Sequence, residues 1–407
     1  MKKILVIAFI LFVISVLSCA PKNSAVTYPD SDPRFAGQLI DAAESADAYF
    51  WRPTIYGPLF YYYDKSTGES GVLCSDPNCD HTEPEKCLGS AQGTGCPSLT
   101  IIGDRLFWIA TRQKQDKSYV YSIYSMRTDS TDRRIEHDLE LPNNTTPQII
   151  LIHGDSIYIY SLFDTVESGV PINDVSLLRV PLYGGEATTI TRFENPASET
   201  LDVKVRAMGD SLYYLFSKRY EDGAASNVIF RYDTVSRVFE SVYSDNGEAI
   251  RDFAADENGC LYVSYVARDG RPARVCRIEK GSPALLFDFS EGDRYSRYVR
   301  LSDGIAIGES YEDYAQTPTL WIRRLDGSTL FYGKLPDSFM KLIRGTVTDI
   351  NAIAVCGDEK YIFISFEPII SNLDLYEWPA FFIRYEITEN GLIETLLCSA
   401  PPVSIGG

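Results

Sequence analysis

The sequence predicts an all-β fold: a single closed ring of seven four-stranded β-blades. Three observations predict it. A short motif recurs along the chain, Gly-Asp or a close variant, one spacer, then an aliphatic and an aromatic residue. It stands as GDRLF at Gly103, GDSIY at Gly154, GDSLY at Gly209, NGCLY at Asn258 and GDEKY at Gly357, with degenerate copies ADAYF at Ala46 and SDGIA at Ser302. The copies are 44 to 57 residues apart, the period of a blade-sized supersecondary unit. The stretch after each corner is almost uniformly apolar, as in SIYIYSLF at Ser156, SLYYLF at Ser211 and KYIFISF at Lys360. Such a strand is buried on both faces, as a blade strand between two neighbouring blades is. Finally, 27 Tyr and 20 Phe give an aromatic content of 13%, a β-leaning composition.

The elements of each unit follow in order. A short apolar strand precedes the corner, such as QIILIH at Gln148 or NAIAVC at Asn351. The Gly-Asp corner supplies positive φ and a side-chain acceptor for a tight hairpin. A third strand carries a basic residue: LLRVPL at Leu177, IFRYD at Ile229, VCRIE at Val275, WIRRLD at Trp321 and FIRYE at Phe382. A polar turn leads to the fourth: VFESVY at Val238, PALLFDF at Pro283 and IETLLC at Ile393. Closure into a ring leaves only short, protected edges. Six or eight blades are the neighbouring alternatives. Two side-by-side sandwiches would instead give alternating strands and no fixed period.

The N-terminus has its own signature. Met1, Lys2 and Lys3 precede an apolar run from Ile4 to Leu17. That run is too short for an ordinary membrane span and reads as a signal-peptide core. It ends in Val16-Leu17-Ser18-Cys19, which resembles the lipobox of bacterial lipoproteins. The resemblance implies cleavage before Cys19, lipid on its sulfur, and a chain held outside the cytoplasm on a bacterial membrane of the cell envelope. An ordinary signal peptide with a chance cysteine is the alternative. Residues 19–35 read as the lipidated cysteine and a polar tether, 36–400 as the propeller, and 401–407 as a tail. No later segment is long and apolar enough to cross a bilayer.

The repeat resembles that of bacterial extracytoplasmic β-propeller lipoproteins of the TolB-like type, over roughly residues 36 to 400. It implies the fold and little about activity, because many functions share such repeats. Between the first two units lies the insert 75–98, bounded by LCSDPNCDHTEPEKCLGSAQGTGCP. It is similar to an insert of uncharacterised lipoprotein propellers with the pattern L-C-x-D-P-x-C-x-H and a later Cys-Pro; Cys87 departs from that pattern. Two chemistries compete for Cys74, Cys79, His81, Cys87 and Cys96. Soft thiolates and an imidazole suit a structural zinc. The exported location favours disulfides, and sequence leaves their pairing open. Cys260 and Cys276, on successive strands, are a further candidate pair. Cys356 and Cys398 read as small buried hydrophobes.

Charge and motif content exclude several functions. Lys and Arg number 38 against 56 Asp and Glu, a formal charge of −18, which opposes nucleic-acid binding. No G-x-S-x-G or HExxH occurs. Of three His, His153 is expected to bond a turn and His137 to be solvated. Catalysis would therefore fall to a carboxylate pair, as in a glycosidase or lyase. The chain reads as a monomeric binding protein for a glycan or peptide, with a carboxylate enzyme or an envelope-assembly scaffold as alternatives. The candidate face is that of the second-to-third-strand loops, where a Tyr-Glu pattern recurs: Tyr220 and Glu221; Tyr311, Glu312 and Tyr314; Tyr376, Glu377 and Trp378. Exposed aromatics in loops mark contact sites.

Overall fold

The computed structural model describes residues 34–404 except 36–39, 54–56, 92–97, 116, 118, 142–144, 168–169, 194–199, 221–223, 268–270, 292–293, 296–297, 312, 314, 344–345 and 373–374. Seven four-stranded antiparallel sheets follow one another along the chain, each built from four consecutive strands. They form blades 1 to 7, spanning 41–72, 100–138, 145–193, 200–247, 250–288, 298–334 and 346–404. The first strand of every blade is innermost and the fourth outermost. Seven blades is thus the count that the corner motif predicts. No α-helix occurs among the described residues. Two short 3-10 turns, Pro84–Lys86 and Ser338–Leu342, lie in the connections after blades 1 and 6.

The local chemistry explains the regularity. The corner glycines Gly103, Gly154 and Gly209 have φ of +64°, +59° and +52°, which a side chain resists and glycine does not. The strand after each corner is buried on both faces. Leu106 to Ala110 in blade 2 and Ile362 to Phe366 in blade 7 are inaccessible without a break. Alternate residues feed the two flanking seams: Leu106, Trp108 and Ala110 pack with blade 1, whereas Phe107 and Ile109 pack with blade 3.

No blade takes strands from both chain ends, so side-chain packing closes the ring. Trp51 of blade 1 stacks on Phe382 of blade 7 at 5.6 Å, and Tyr49 meets Phe363 at 5.5 Å. The Arg384 guanidinium donates to the Tyr49 hydroxyl at 3.5 Å. Arg34 and Phe35, assigned to the tether by sequence, belong to this closing seam. Arg34 pairs with Glu44 and, at 3.4 Å, with Asp358; Phe35 packs edge-on against Phe363 at 5.1 Å. At the other end the last strand runs Gly391–Ser404, so most of the expected tail is blade. The leader, Cys19 and residues 20–33 lie outside the described residues, as do 405–407. Among the described residues no helix is long and apolar enough to cross a membrane.

Candidate functional site

The insert leaves blade 1 at Val72 and folds back on it. Leu73 N–H donates to Phe60 O, and Phe60 N–H in turn donates to Gly89 O, each at 2.8 Å. Gly89 runs so close to the preceding segment that a Cβ there would stand 2.3 Å from Leu73 O. Only glycine allows that approach. Arg133, from the third-to-fourth hairpin of blade 2, donates to three insert carbonyls: Cys87, Leu88 and Ser90, at 3.0, 3.3 and 3.1 Å. The Trp108 indole N–H reaches Ala91 O at 2.7 Å. At the exit, the buried Asp41 carboxylate accepts from Ser98 N–H at 3.0 Å and Leu99 N–H at 2.6 Å, and pairs with Arg52. The insert therefore bridges the seam between blades 1 and 2.

This fold brings Cys74, Cys79, His81 and Cys87 together, with their ligand atoms all within 4.8 Å of one another. His81 Nδ1 is 3.4 Å from Cys87 Sγ. His81 holds φ of +59°, uncommon for a residue with a side chain. Cys74, Cys79 and Cys87 are unbridged, so the disulfide preferred from compartment is not formed among them. Cys96 lies outside the described residues. Burial pushes the Cys87 thiol up to about 12, against a contrary pull from the Gly89 N–H, with Cys74 and Cys79 adding to the rise. Burial acts on Cys74 in the same direction, yet hydrogen bonds from the Asp76 and Leu88 amides and from the neighbouring thiols bring it below the usual thiol value.

Cys260, Cys276, Cys356 and Cys398 are also unbridged. Pairing of Tyr262 with Arg277 sets Cys276 opposite Val263, away from Cys260, which rules out the expected bridge. Cys356 and Cys398 are buried in the apolar cluster of the closing seam, as expected of small hydrophobes.

The Tyr-Glu positions do not form one rim. Tyr220 is exposed beside its turn, as expected of a contact residue. Tyr311 is half-buried, and its hydroxyl donates to Glu309 at 3.2 Å. Burial, then the Glu309 carboxylate, raise its phenol above the usual range. Tyr311 is thus a packed residue of blade 6. Tyr376, Glu377 and Trp378 are in no loop: they extend the third strand of blade 7, Leu375–Thr388, with Tyr376 paired to Ser371 and Glu377 to Ile370 and Ser404. Glu221, Glu312 and Tyr314 lie outside the described residues.

The innermost strands of blades 4, 5 and 6 carry a charged network that the sequence reading missed. Asp252 of blade 5 is buried. It accepts from Arg206 of blade 4 at 2.8 Å, from Phe253 N–H at 3.0 Å and from Leu301 N–H of blade 6 at 2.9 Å. Burial opposes its ionisation, but Arg206, Lys204 and these amides outweigh it and hold the carboxyl below its ordinary range. Arg300 pairs with Glu309 at 2.8 Å, and Asp202 lies 3.4 Å from Arg219 and 3.5 Å from Arg251. Lys204, half-exposed on the innermost strand of blade 4, has no hydrogen bond or ion pair among the described residues. Asp252 favours its charge, yet burial together with Arg206 and Arg251 lowers its pKa. The available signal was Asp202-Val-Lys204-Val-Arg206: three charged residues alternate with apolar ones there, so one face of that strand is charged.

The imidazoles are in use or buried. His153 Nε2 donates to Gly209 O at 2.9 Å, bonding the corner of the following blade. His137 is half-buried opposite Ile123. The expectation of a solvated ring is corrected: burial lowers its pKa despite Glu136 and Asp138 beside it.

No protein-family model and no curated protein sequence matches the chain. Solved structures match it as folds. The chain is similar to prolyl endopeptidases at 12% identity, over 96% of this chain and 53% of that one, with a TM-score of 0.52. A puromycin hydrolase aligns at 12% identity over 91% of this chain and 55% of its own, TM-score 0.50. A putative 6-phosphogluconolactonase from Bacteroides fragilis aligns at 12% identity over 90% and 96%, TM-score 0.47. At such identity the shared property is the propeller.

Proposed function

We propose that the mature chain is a lipid-anchored binding protein of the cell envelope, held by Cys19, that captures an acidic glycan in the central channel bordered by blades 4, 5 and 6. Lys204 carries this reading. It is a half-buried cation on the innermost strand of blade 4, in an environment that disfavours its charge, with no partner at bonding distance among the described residues. A ligand carboxylate entering the channel supplies that partner. Arg219, Arg251 and Arg300 line the same strands and their neighbours, and Tyr220 stands at the end of the blade where Arg219 and Asp202 meet. An aromatic ring at a channel mouth offers a stacking face for a sugar. Arg219, Arg251 and Arg300 already face carboxylates, so it is Lys204 that favours an acidic ligand over a basic peptide.

Binding is preferred over hydrolysis for a physical reason. A carboxylate-pair enzyme needs one acid whose pKa is raised. Among the described carboxylates whose pKa is displaced, Asp252 and Asp138 among them, the displacement is downward. Such groups stay ionised and act as acceptors. The test is capture on an array of immobilised acidic and neutral oligosaccharides and peptides. Retention on acidic glycans, abolished in Lys204→Met, is expected. Retention that Lys204→Met leaves intact, retention on peptides alone, or turnover of the bound glycan would reject the reading.

A further inference from the structure

We propose that Cys74, Cys79, His81 and Cys87 form a structural Zn(II) site that clasps the insert against blade 1, where Cys87 packs into the apolar cluster that joins blade 1 to blade 7. The inference is independent of the channel reading above.

The donor set selects the ion. Three sulfurs and one imidazole suit Zn(II) and exclude the oxygen-seeking Ca(II) and Mg(II). The spacing fits. Tetrahedral bonds of ~2.3 Å to sulfur and ~2.0–2.1 Å to nitrogen put sulfurs about 3.8 Å apart and nitrogen about 3.6 Å from sulfur. The four ligand atoms lie within 4.8 Å of one another, with His81 Nδ1 and Cys87 Sγ at 3.4 Å. A disulfide would require two of the sulfurs at ~2.05 Å and would leave the third thiol and the imidazole with no reason to converge.

The surroundings are built as a metal site's are. The Asp76 and Leu88 amides donate to the Cys74 sulfur and the Gly89 amide to that of Cys87, the arrangement in which backbone dipoles stabilise thiolates around a metal. Two of these donors, Asp76 and Gly89, stand two residues after the cysteine they serve. His81 sits in a left-handed backbone conformation, a local strain that ligation offsets. Four protein ligands close the coordination sphere, leaving no position for water or substrate, so the role is structural. Each thiol releases its proton on binding, and the zinc with three thiolates and a neutral imidazole carries a single negative charge. A polar insert with few buried apolar side chains needs such a staple.

The test is metal analysis of the mature chain purified without chelator, with Co(II) substitution as a second reading. Equimolar zinc is expected, together with intense visible and sulfur-to-cobalt absorption in the Co(II) form. Cys79→Ser and His81→Ala should each lose most of the zinc, while His81→Cys, which keeps four ligands, should retain it. A chelator should lower the Tm of the wild type and not of the metal-free variants. Should His81→Ala fail to fold, release of zinc on titrating the wild-type thiols decides the matter. The proposal is overturned by reduced protein that takes up no zinc, by an intact mass showing disulfides within the insert, by iron or copper in place of zinc, or by full zinc retention in both ligand-loss variants.

Discussion

Two seams of the ring use the same device and end differently. Between blades 1 and 2, the buried Asp41 holds Arg52 and accepts the Ser98 and Leu99 amides at the start of the next blade. At blades 4 to 6, the buried Asp252 holds Arg206 and accepts the Leu301 amide of the next blade. In each case one innermost carboxylate fastens a blade to its successor. Asp41 takes its arginine from its own blade, and the seam beside it is covered by the insert. Asp252 takes its arginine from the preceding blade, and Lys204 beside it is half-buried with no hydrogen bond or ion pair among the described residues. The first seam is therefore complete as built, and the second keeps a cation available. The comparison teaches that a buried charge in a propeller channel need not be a functional group; the surplus charge next to it is the better pointer.

The largest expected effect comes from removing either carboxylate. Asp41→Ala and Asp252→Ala each take the charge partner from a buried guanidinium and the acceptor from backbone amides, a loss of about 3–5 kcal/mol readable by denaturant unfolding. A loss under about 1 kcal/mol at one site would break the parallel between them. Asp41→Ala should in addition loosen the insert, seen as faster hydrogen exchange over 73–91; Asp252→Ala should leave that exchange unchanged.

Next in size is Arg133→Ala. It removes one charged donor from three carbonyls at once and should cost about 1–3 kcal/mol, with increased exchange confined to the insert. Tyr311→Ala should also lower the Tm, because its ring is packed and bonded to Glu309. An unchanged Tm would return Tyr311 to the exposed role expected from sequence.

Acid sharpens the comparison from the Asp252 side. Its folded pKa lies below its unfolded value of ~3.9, so its stabilisation is complete above that value and is lost as pH falls through the folded pKa. The stability gap between wild type and Asp252→Asn should be constant near neutrality and narrow below about pH 4. A gap that widens there would contradict the assignment. The smallest expected effect is that of Lys204→Met. Lys204 has a folded pKa below its unfolded one, so its charged form opposes folding at neutral pH. The variant should be at least as stable as wild type while losing ligand capture.

The ring was legible in the sequence because its signals are local. Gly-Asp corners are set by the φ that glycine allows, and uniformly apolar second strands by their place between two blades; neither depends on distant partners. The convergence of Cys74, Cys79 and His81 was legible as a cluster, since the residues lie close in the chain. The place of Cys87 as the fourth member was not, because it depends on how the Pro84–Lys86 turn returns Cys87 to the others. The channel network was harder still. Lys204, Asp252 and Arg300 lie on three separate blades, and only the packing of successive blades makes them neighbours. Tyr376 and Trp378 misled for the opposite reason: an aromatic cluster after an apolar strand reads as a loop tip, but the hairpin of blade 7 simply continues, pairing Tyr376 with Ser371.

Hydrogen exchange in the presence of a captured acidic oligosaccharide tests channel binding most directly. Slower exchange over 200–206, 250–252 and 298–301, absent in Lys204→Met, is the predicted result. Slowing confined to the insert or to the outer strands, with the inner strands of blades 4 to 6 unchanged, would contradict it.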